Sequence, residues 1–273
     1  MIPRADIIEW RTTGYPWKTD AMVEQDLLIS RMLVELFSNE QISESLIFRG
    51  GTALHKLFFP EPLRFSEDID LVQCEPGPIG PLFDTIRGIF REWVGEPMRN
   101  QGPGVARLTY RLSSEDTPPL PLRIKIEINT REHFRVLPMA YKALDVRSRW
   151  FEGRADIPVY QIEELMATKL RALYQRRKGR DLFDLAAALR LPDIHTDLVL
   201  AAFEQYLKAE THRIHASDFR ANMRAKLEHP AFTQDCAPLL RPGTTFDVQG
   251  DFDLVDEVFI SELGEASTRI SER

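Results

Sequence analysis

Asp68 and Asp70, separated by one isoleucine in "FSEDIDLV", are the side chains of this 273-residue sequence best spaced for chemistry. Residues two apart on a strand point to the same side, so the two carboxylates would stand together while Ile69 and Leu71 face a core. Paired like charges repel. A hard divalent cation relieves that repulsion, and Mg²⁺ suits the spacing because it needs few protein carboxylates when phosphate oxygens supply its other ligands. The bland alternative is a strand with a solvated polar face. Upstream, "SLIFRG" reads as a short strand ending at Gly50-Gly51, with Thr52 as the cap of a following helix. A glycine pair there lets backbone approach a ligand and aims helix N–H groups at an anion. Gly50, Gly51 and Thr52 would thus seat the phosphates of a nucleoside triphosphate whose metal the aspartates hold. A third acid comes from "LRIKIEIN", where Lys125, Glu127 and Asn129 share a face opposite Ile124, Ile126 and Ile128. If that strand lies beside the first, Glu127 joins the Asp pair, as a two-metal site requires.

A second group lies in "IEELMATKLRALYQRRKGRDLFDLAAALR". Ile162, Leu165, Met166 and Leu173 mark one helical face, and Lys169 falls on it. Such a lysine either snorkels to water or clamps the charge of a transferring phosphate. Arg171 to Arg180 packs five basic residues into ten, either a solvated helix face or a phosphate-binding surface. After Gly179 a new helix starts, with Asp181 near its N-terminus and Asp184 one turn on; both could merely favour the helix dipole or pair with nearby arginines.

The elements that must position these groups divide the chain in two. A long amphipathic helix in "MVEQDLLISRMLVELFS" opens the fold, "GPIGPLFDTIRGIFREWV" is another, and "ARLTYRL" and "LRIKIEIN" alternate as neighbouring strands. From about Asp145 onward the signals are mostly helical. The expectation is an α+β protein: a mixed sheet flanked by helices over residues 1–145, and a helical part over 146–273. "RSRWFEGR" reads as a boundary loop, or as aromatic and basic side chains that contact nucleic acid. His133, His55 and Lys56 read as satisfied or surface residues.

Bulk composition excludes several classes. With 43% hydrophobic and 28% charged residues the chain can bury a core unaided. Cys74 and Cys236 have no zinc-like or disulfide-framework spacing. The N-terminus lacks the apolar run of a signal peptide, and no stretch reaches membrane-spanning length, so no membrane partner and a cytoplasmic location are expected. The net charge of −7 resides in residues 245–265, which hold seven acids and no Lys or Arg. That segment is expected to pack as a terminal helix or to repel nucleic acid from one face.

Gly50-Gly51 followed by "SEDID", the later strand acid Glu127 and "KLRALYQR" resemble the AbiEii/AbiGii-type nucleotidyltransferases, toxins of bacterial toxin–antitoxin and abortive-infection systems, and are similar also to the MenT toxins. These belong to the DNA polymerase β-like nucleotidyltransferase superfamily, whose pattern is a glycine pair or Gly-Ser before DxD or DxE and a third acid on a following strand. The match covers Phe48 to Leu71, Arg123 to Asn129 and Glu163 to Leu185. Lys169, Ala172 and Arg176 meet a family pattern of Lys, two residues, Ala, three residues, Arg. The resemblance implies transfer of a nucleoside monophosphate from an NTP to an RNA acceptor, the tRNA 3′ end first, with Mg²⁺ or Mn²⁺. It makes Asp68, Asp70 and Glu127 metal ligands, adds Lys169 and Asp184 as catalytic residues, and gives nucleotide binding to Gly50, Gly51, Thr52, Ser66, Lys169 and Arg176. Asp181 remains an alternative to Asp184. Ser66 matches a serine that is a phosphorylation switch in MenT-like relatives. The resemblance also implies a cognate antitoxin encoded nearby, which in the established pairs acts without a stable complex. A metal-dependent nuclease, an NTP-binding regulator, a kinase-like or protein-modifying enzyme of the same fold, and an interaction protein are the other readings.

Overall fold

A computed structural model describes residues 2–211 and 213–264. The described residues form two compact units: 2–161 with Leu239–Thr244, and 162–211, 213–238 and 245–264.

The first unit is α+β. Helix α1 (Arg4–Thr12) precedes the long helix α2 (Asp20–Phe37), so α2 does not open the fold as its sequence suggests. Thr19 caps α2 by accepting a hydrogen bond from the Met22 N–H. Because α1 packs on α2, even its polar Asp26 is buried, accepting from Trp10 Nε1 at 3.0 Å and from Lys56 Nζ at 3.0 and 3.1 Å. After α3 (Glu40–Ser45) come β1 (Leu46–Arg49), α4 (Gly50–Leu57), β2 (Asp68–Gln73) and α5 (Gly80–Phe90). Strands β3 (Met98–Gly102), β4 (Val105–Ser113), β5 (Pro121–Asn129), β6 (Ala140–Arg147) and β7 (Glu152–Val159) complete the unit. Among the described residues they make a seven-stranded mixed sheet in the order β3-β4-β5-β2-β1-β7-β6. β2 runs parallel to β5, and β1 runs parallel to β7.

The alternation read from the sequence decides which side of β2 and β5 is core. Ile69, Leu71, Ile124, Ile126 and Ile128 are buried, and the residues between them lie on the other face. Strand pairing continues past Asp145, against the mostly helical signals of the sequence there. Ala155, Ile157 and Val159 turn inward on β7 while Arg154 and Asp156 stay exposed. "RSRWFEGR" spans the end of β6, the turn at 148–151 and the start of β7. Its Trp150 and Phe151 pack with Trp93 around the Arg31 guanidinium, which lies 3.9 Å from the Trp93 ring centre and 4.7 Å from that of Trp150. The short return segment is stitched in by main chain: Phe65 N–H donates to Leu239 O at 2.8 Å and Arg241 N–H to Leu63 O at 2.9 Å.

The second unit is helical: α6 (Ile162–Gln175), α7 (Gly179–Leu189), α8 (Thr196–Ala209), α9 (Ala216–Leu227), α10 (Pro230–Thr233) and α11 (Val248–Val255), followed by a π-helical turn, Asp256–Ile260. The acidic segment packs as α11 and this turn. Asp247 caps α11, buried Asp251 pairs with Arg190 at 2.5 Å, and Asp256 pairs with Arg220 at 2.8 Å. Glu265 lies outside the described residues.

Candidate active site

In the first unit the chain turns from β1 into α4 at Gly50, whose φ of +81° is one that side-chain-bearing residues avoid. A Cβ on Gly50 would fall 2.9 Å from Asp70 Cγ, so the glycine is required both by its backbone and by the carboxylate packed against it. A Cβ on Gly51 would fall 3.3 Å from the Arg64 guanidinium carbon and 3.5 Å from Ser66 Oγ. Arg64 is itself buried beneath the turn, with Nη1 donating to Phe65 O at 3.0 Å. Nothing in the local sequence marks that residue. The helix N-cap is Arg49, not Thr52, and Arg49 supplies no side-chain cap. The N-cap side chain therefore leaves the start of α4 open, a helix terminus of the kind that can hold an anion.

Thr52 is buried, and its hydroxyl contacts both Asp68 O and Ser66 Oγ. A carbonyl can only accept, so Thr52 donates to Asp68 O and Ser66 donates to Thr52 across 2.7 Å. The hydroxyl fastens the glycine turn to the start of β2, which leaves the Thr52 backbone N–H as this residue's means of meeting a phosphate.

Asp68 and Asp70 share one face of β2, and the parallel register sets Lys125 opposite Asp68 and Glu127 opposite Asp70. The structure thus brings together Asp68, Asp70, Glu127, Gly50, Gly51, Thr52 and Ser66. Cations interleave them. Lys125 Nζ donates to Asp68 Oδ2 at 2.8 Å, and Arg107 Nε donates to Glu127 Oε2 at 2.6 Å. Hydrogen bonding to Glu127 holds the Arg107 pKa above its usual value. Arg49 pairs with Glu132 at 3.2 Å at the edge of this group. Arg107 was not singled out from the sequence, although the alternation of β4 puts it on the Glu127 face. Among the described residues no three acidic, His or Cys side chains approach closely enough to make a protein-only metal cage. Two carboxylates beside an uncapped helix start do fit a hard cation that takes its remaining ligands from phosphate oxygens, the usual habit of Mg²⁺.

The second unit gathers Lys169, Arg176, Asp181 and Asp184. Lys169 Nζ lies 2.6 Å from Asp184 Oδ2 and 3.1 Å from Asp181 Oδ1, and Arg176 grips Asp181 through Nε at 2.7 Å and Nη2 at 2.8 Å. Both aspartates are fully buried and Lys169 nearly so. Burial pushes the Asp181 carboxyl up, but Lys169 and Arg176 outweigh it and hold the pKa below the usual range. The basic run is largely neutralised at home. Arg171 is buried against Glu210 at 3.1 Å and stacks on Tyr206, while Lys178 and Arg180 reach Asp235 at 3.5 and 3.6 Å. His55 is a satisfied core residue, its Nδ1 accepting from Leu63 N–H at 3.3 Å. His133 Nδ1 meets Gln73 O at 3.1 Å.

A model of the family described as nucleotidyl transferase AbiEii toxin, type IV toxin–antitoxin system, matches residues 31–257, a span that includes every residue of both clusters. The chain belongs to the AbiEii nucleotidyltransferase toxin family. It is accordingly a nucleotidyltransferase and the toxin half of a toxin–antitoxin pair, with a cognate antitoxin implied. The AbiEii fold is shared by the Mycobacterium tuberculosis H37Rv toxin MenT4, Rv2826c, at 17% identity and a TM-score of 0.67 over 96% of this chain and 91% of that one. It is shared also by JHP933 of Helicobacter pylori, at 17% identity and a TM-score of 0.52 over 90% of this chain and 94% of that one. No curated protein sequence matches the chain. Among the described residues of this AbiEii protein no helix is long and apolar enough to cross a membrane.

Proposed function

We propose that this AbiEii toxin transfers a nucleoside monophosphate from an NTP to the 3′ hydroxyl of an RNA, with tRNA the first candidate, in the cytoplasm and with Mg²⁺ or Mn²⁺. The observation that carries the reading is Asp70, packed against the Gly50 backbone at an uncapped helix start and set opposite Glu127 by strand register. The N–H groups of Gly50, Gly51 and Thr52 hold phosphate oxygens, and Asp68 and Asp70 hold the cation. When bound, that cation supplies charge neutralisation at the transferring phosphate. The acceptor hydroxyl gives up its proton as its oxygen bonds the α-phosphorus, the bond from that phosphorus to the α,β-bridging oxygen breaks, and pyrophosphate departs with the electron pair. That proton goes to Glu127 or, where Glu127 is instead a further ligand, to solvent water; either role draws Glu127 away from Arg107. Lys169 and Arg176 are assigned to handling triphosphate charge and Asp184 to a catalytic role; within their own unit they form, with Asp181, a self-neutralised cluster. Phosphorylation of Ser66 would remove its donated hydrogen bond to Thr52 and set a dianion near Asp68, weakening triphosphate binding. The antitoxin is encoded nearby and acts without a stable complex.

The test is a transfer assay with each of the four labelled triphosphates, Mg²⁺ and total RNA. Parent protein should label an RNA from one or more triphosphates and release pyrophosphate, while Asp68→Asn and Asp70→Asn should lose activity at unchanged melting temperature. RNA shortening without nucleotide consumption would establish a nuclease instead, and triphosphate binding without turnover a regulator.

A further inference from the structure

On β4 and β5 the face that carries Lys125 and Glu127 continues away from the aspartates to Arg111 and Arg123, which the antiparallel register sets directly opposite each other. Lys125 pairs with Asp68 and Arg107 with Glu127. Arg111 and Arg123 differ: both are exposed, and neither side chain has an ionic partner among the described residues. Directly opposed residues of a strand pair stand about 5 Å apart, and like charges there destabilise the sheet. The chain has 42 acidic residues against 35 basic ones, so acidic partners are not scarce, yet this pair is left facing itself. An unrelieved cationic pair with a strand face leading from it toward two carboxylates fits a polyanion lying along that face. The step from Arg123 to Lys125 is two strand residues, about 7 Å, or roughly two nucleotides of a stacked strand.

We propose that Arg111 and Arg123, with Lys125 next in line, form a track that carries the sugar-phosphate backbone of the RNA acceptor toward Asp68 and Asp70. The identity of the occupant rests on the functional reading above; the polyanion chemistry rests on the strand pair itself.

The experiment is fluorescence anisotropy of a short labelled single-stranded RNA with parent protein and Arg111→Ala/Arg123→Ala, read across a salt series, alongside transfer kinetics. Each phosphate contact on a single strand contributes about 0.7 to the slope of log affinity against log salt, so losing two lowers the slope by about 1.4. Between about 50 and 200 mM salt the parent should then lose roughly sevenfold more affinity than the variant. In transfer, KM for RNA should rise while kcat changes less than twofold. Arg111→Glu gives a complementary cross-strand pair with Arg123; it should melt no lower than the parent while binding RNA more weakly, an outcome that a structural role for Arg111 does not produce. Equal affinity and salt slope for parent and double variant overturn the track, as does binding of polyglutamate that depends on both arginines while RNA binding does not. If the parent transfers nothing to RNA, the functional reading falls, and the anisotropy still decides the surface.

Discussion

Gly50→Ala tests whether the glycine turn and the aspartate are mechanically coupled. At φ +81° an alanine adopts the left-handed region at a cost of about 1–2 kcal/mol, which for a unit of this size lowers the melting temperature by roughly 2–8 °C. Strain alone would stop there. The added methyl, however, overlaps the Asp70 side chain, and the carboxylate is the softer partner and must move. A displacement near 1 Å at a positioning group removes about 100-fold in rate, equivalent to about 2.7 kcal/mol at the transition state. Gly95 supplies the control. Its φ of +95° imposes comparable strain, but a Cβ there meets nothing within 4 Å. Thermal unfolding and steady-state transfer should show both alanine variants destabilised, Gly50→Ala at least as much as Gly95→Ala, with only Gly50→Ala slowed about 100-fold. If the two variants transfer nucleotide equally well, Asp70 is not held in place by the glycine, and the geometry that carries the functional proposal is refuted.

Two further outcomes follow from the second unit. Lys169→Met removes the lysine shared by two buried aspartates and should lower stability by about 3–5 kcal/mol; Lys169→Met/Asp184→Leu should recover much of that in denaturant titration, because a hydrophobic pair replaces the charges. Lys226 donates to the carbonyls of Leu173 and Tyr174 at the end of α6, and burial lowers its pKa to about 8 from 10.5. Between those values the unfolded chain binds more protons than the folded one, so the Lys226 contribution should make stability rise with pH from about 8 toward 10.5, a slope that Lys226→Met should flatten.

What could be read in advance was what depends on neighbours in the chain. The alternation around Ile69 and across Ile124 to Ile128 is local, and it placed Asp68, Asp70 and Glu127 on one face; their adjacency followed once β2 and β5 paired. β6 and β7 escape the sequence reading because aromatics and arginines at their turn resemble a loop, and because Gly153 and Pro158 flank the short alternation of Arg154 to Ile157 on β7. Arg64 under Gly51 depends on chain returning from elsewhere, as does the neutralisation of Arg171 by Glu210 and of Lys178 and Arg180 by Asp235. Pairs of that kind leave no periodicity in the sequence.

The segment Leu239–Thr244, which bonds to Leu63 and Phe65 just ahead of Ser66, gives the polypeptide a particular order of assembly. Domains fold as they leave the ribosome, N-terminal parts first. Here the loop that leads into the acidic strand receives its main-chain bonds from residues made only after most of the second unit's helices, so in a nascent chain the loop ahead of the paired aspartates stays untied until residue 241 has emerged. A premature stop codon before residue 239 would yield a first unit without that tie.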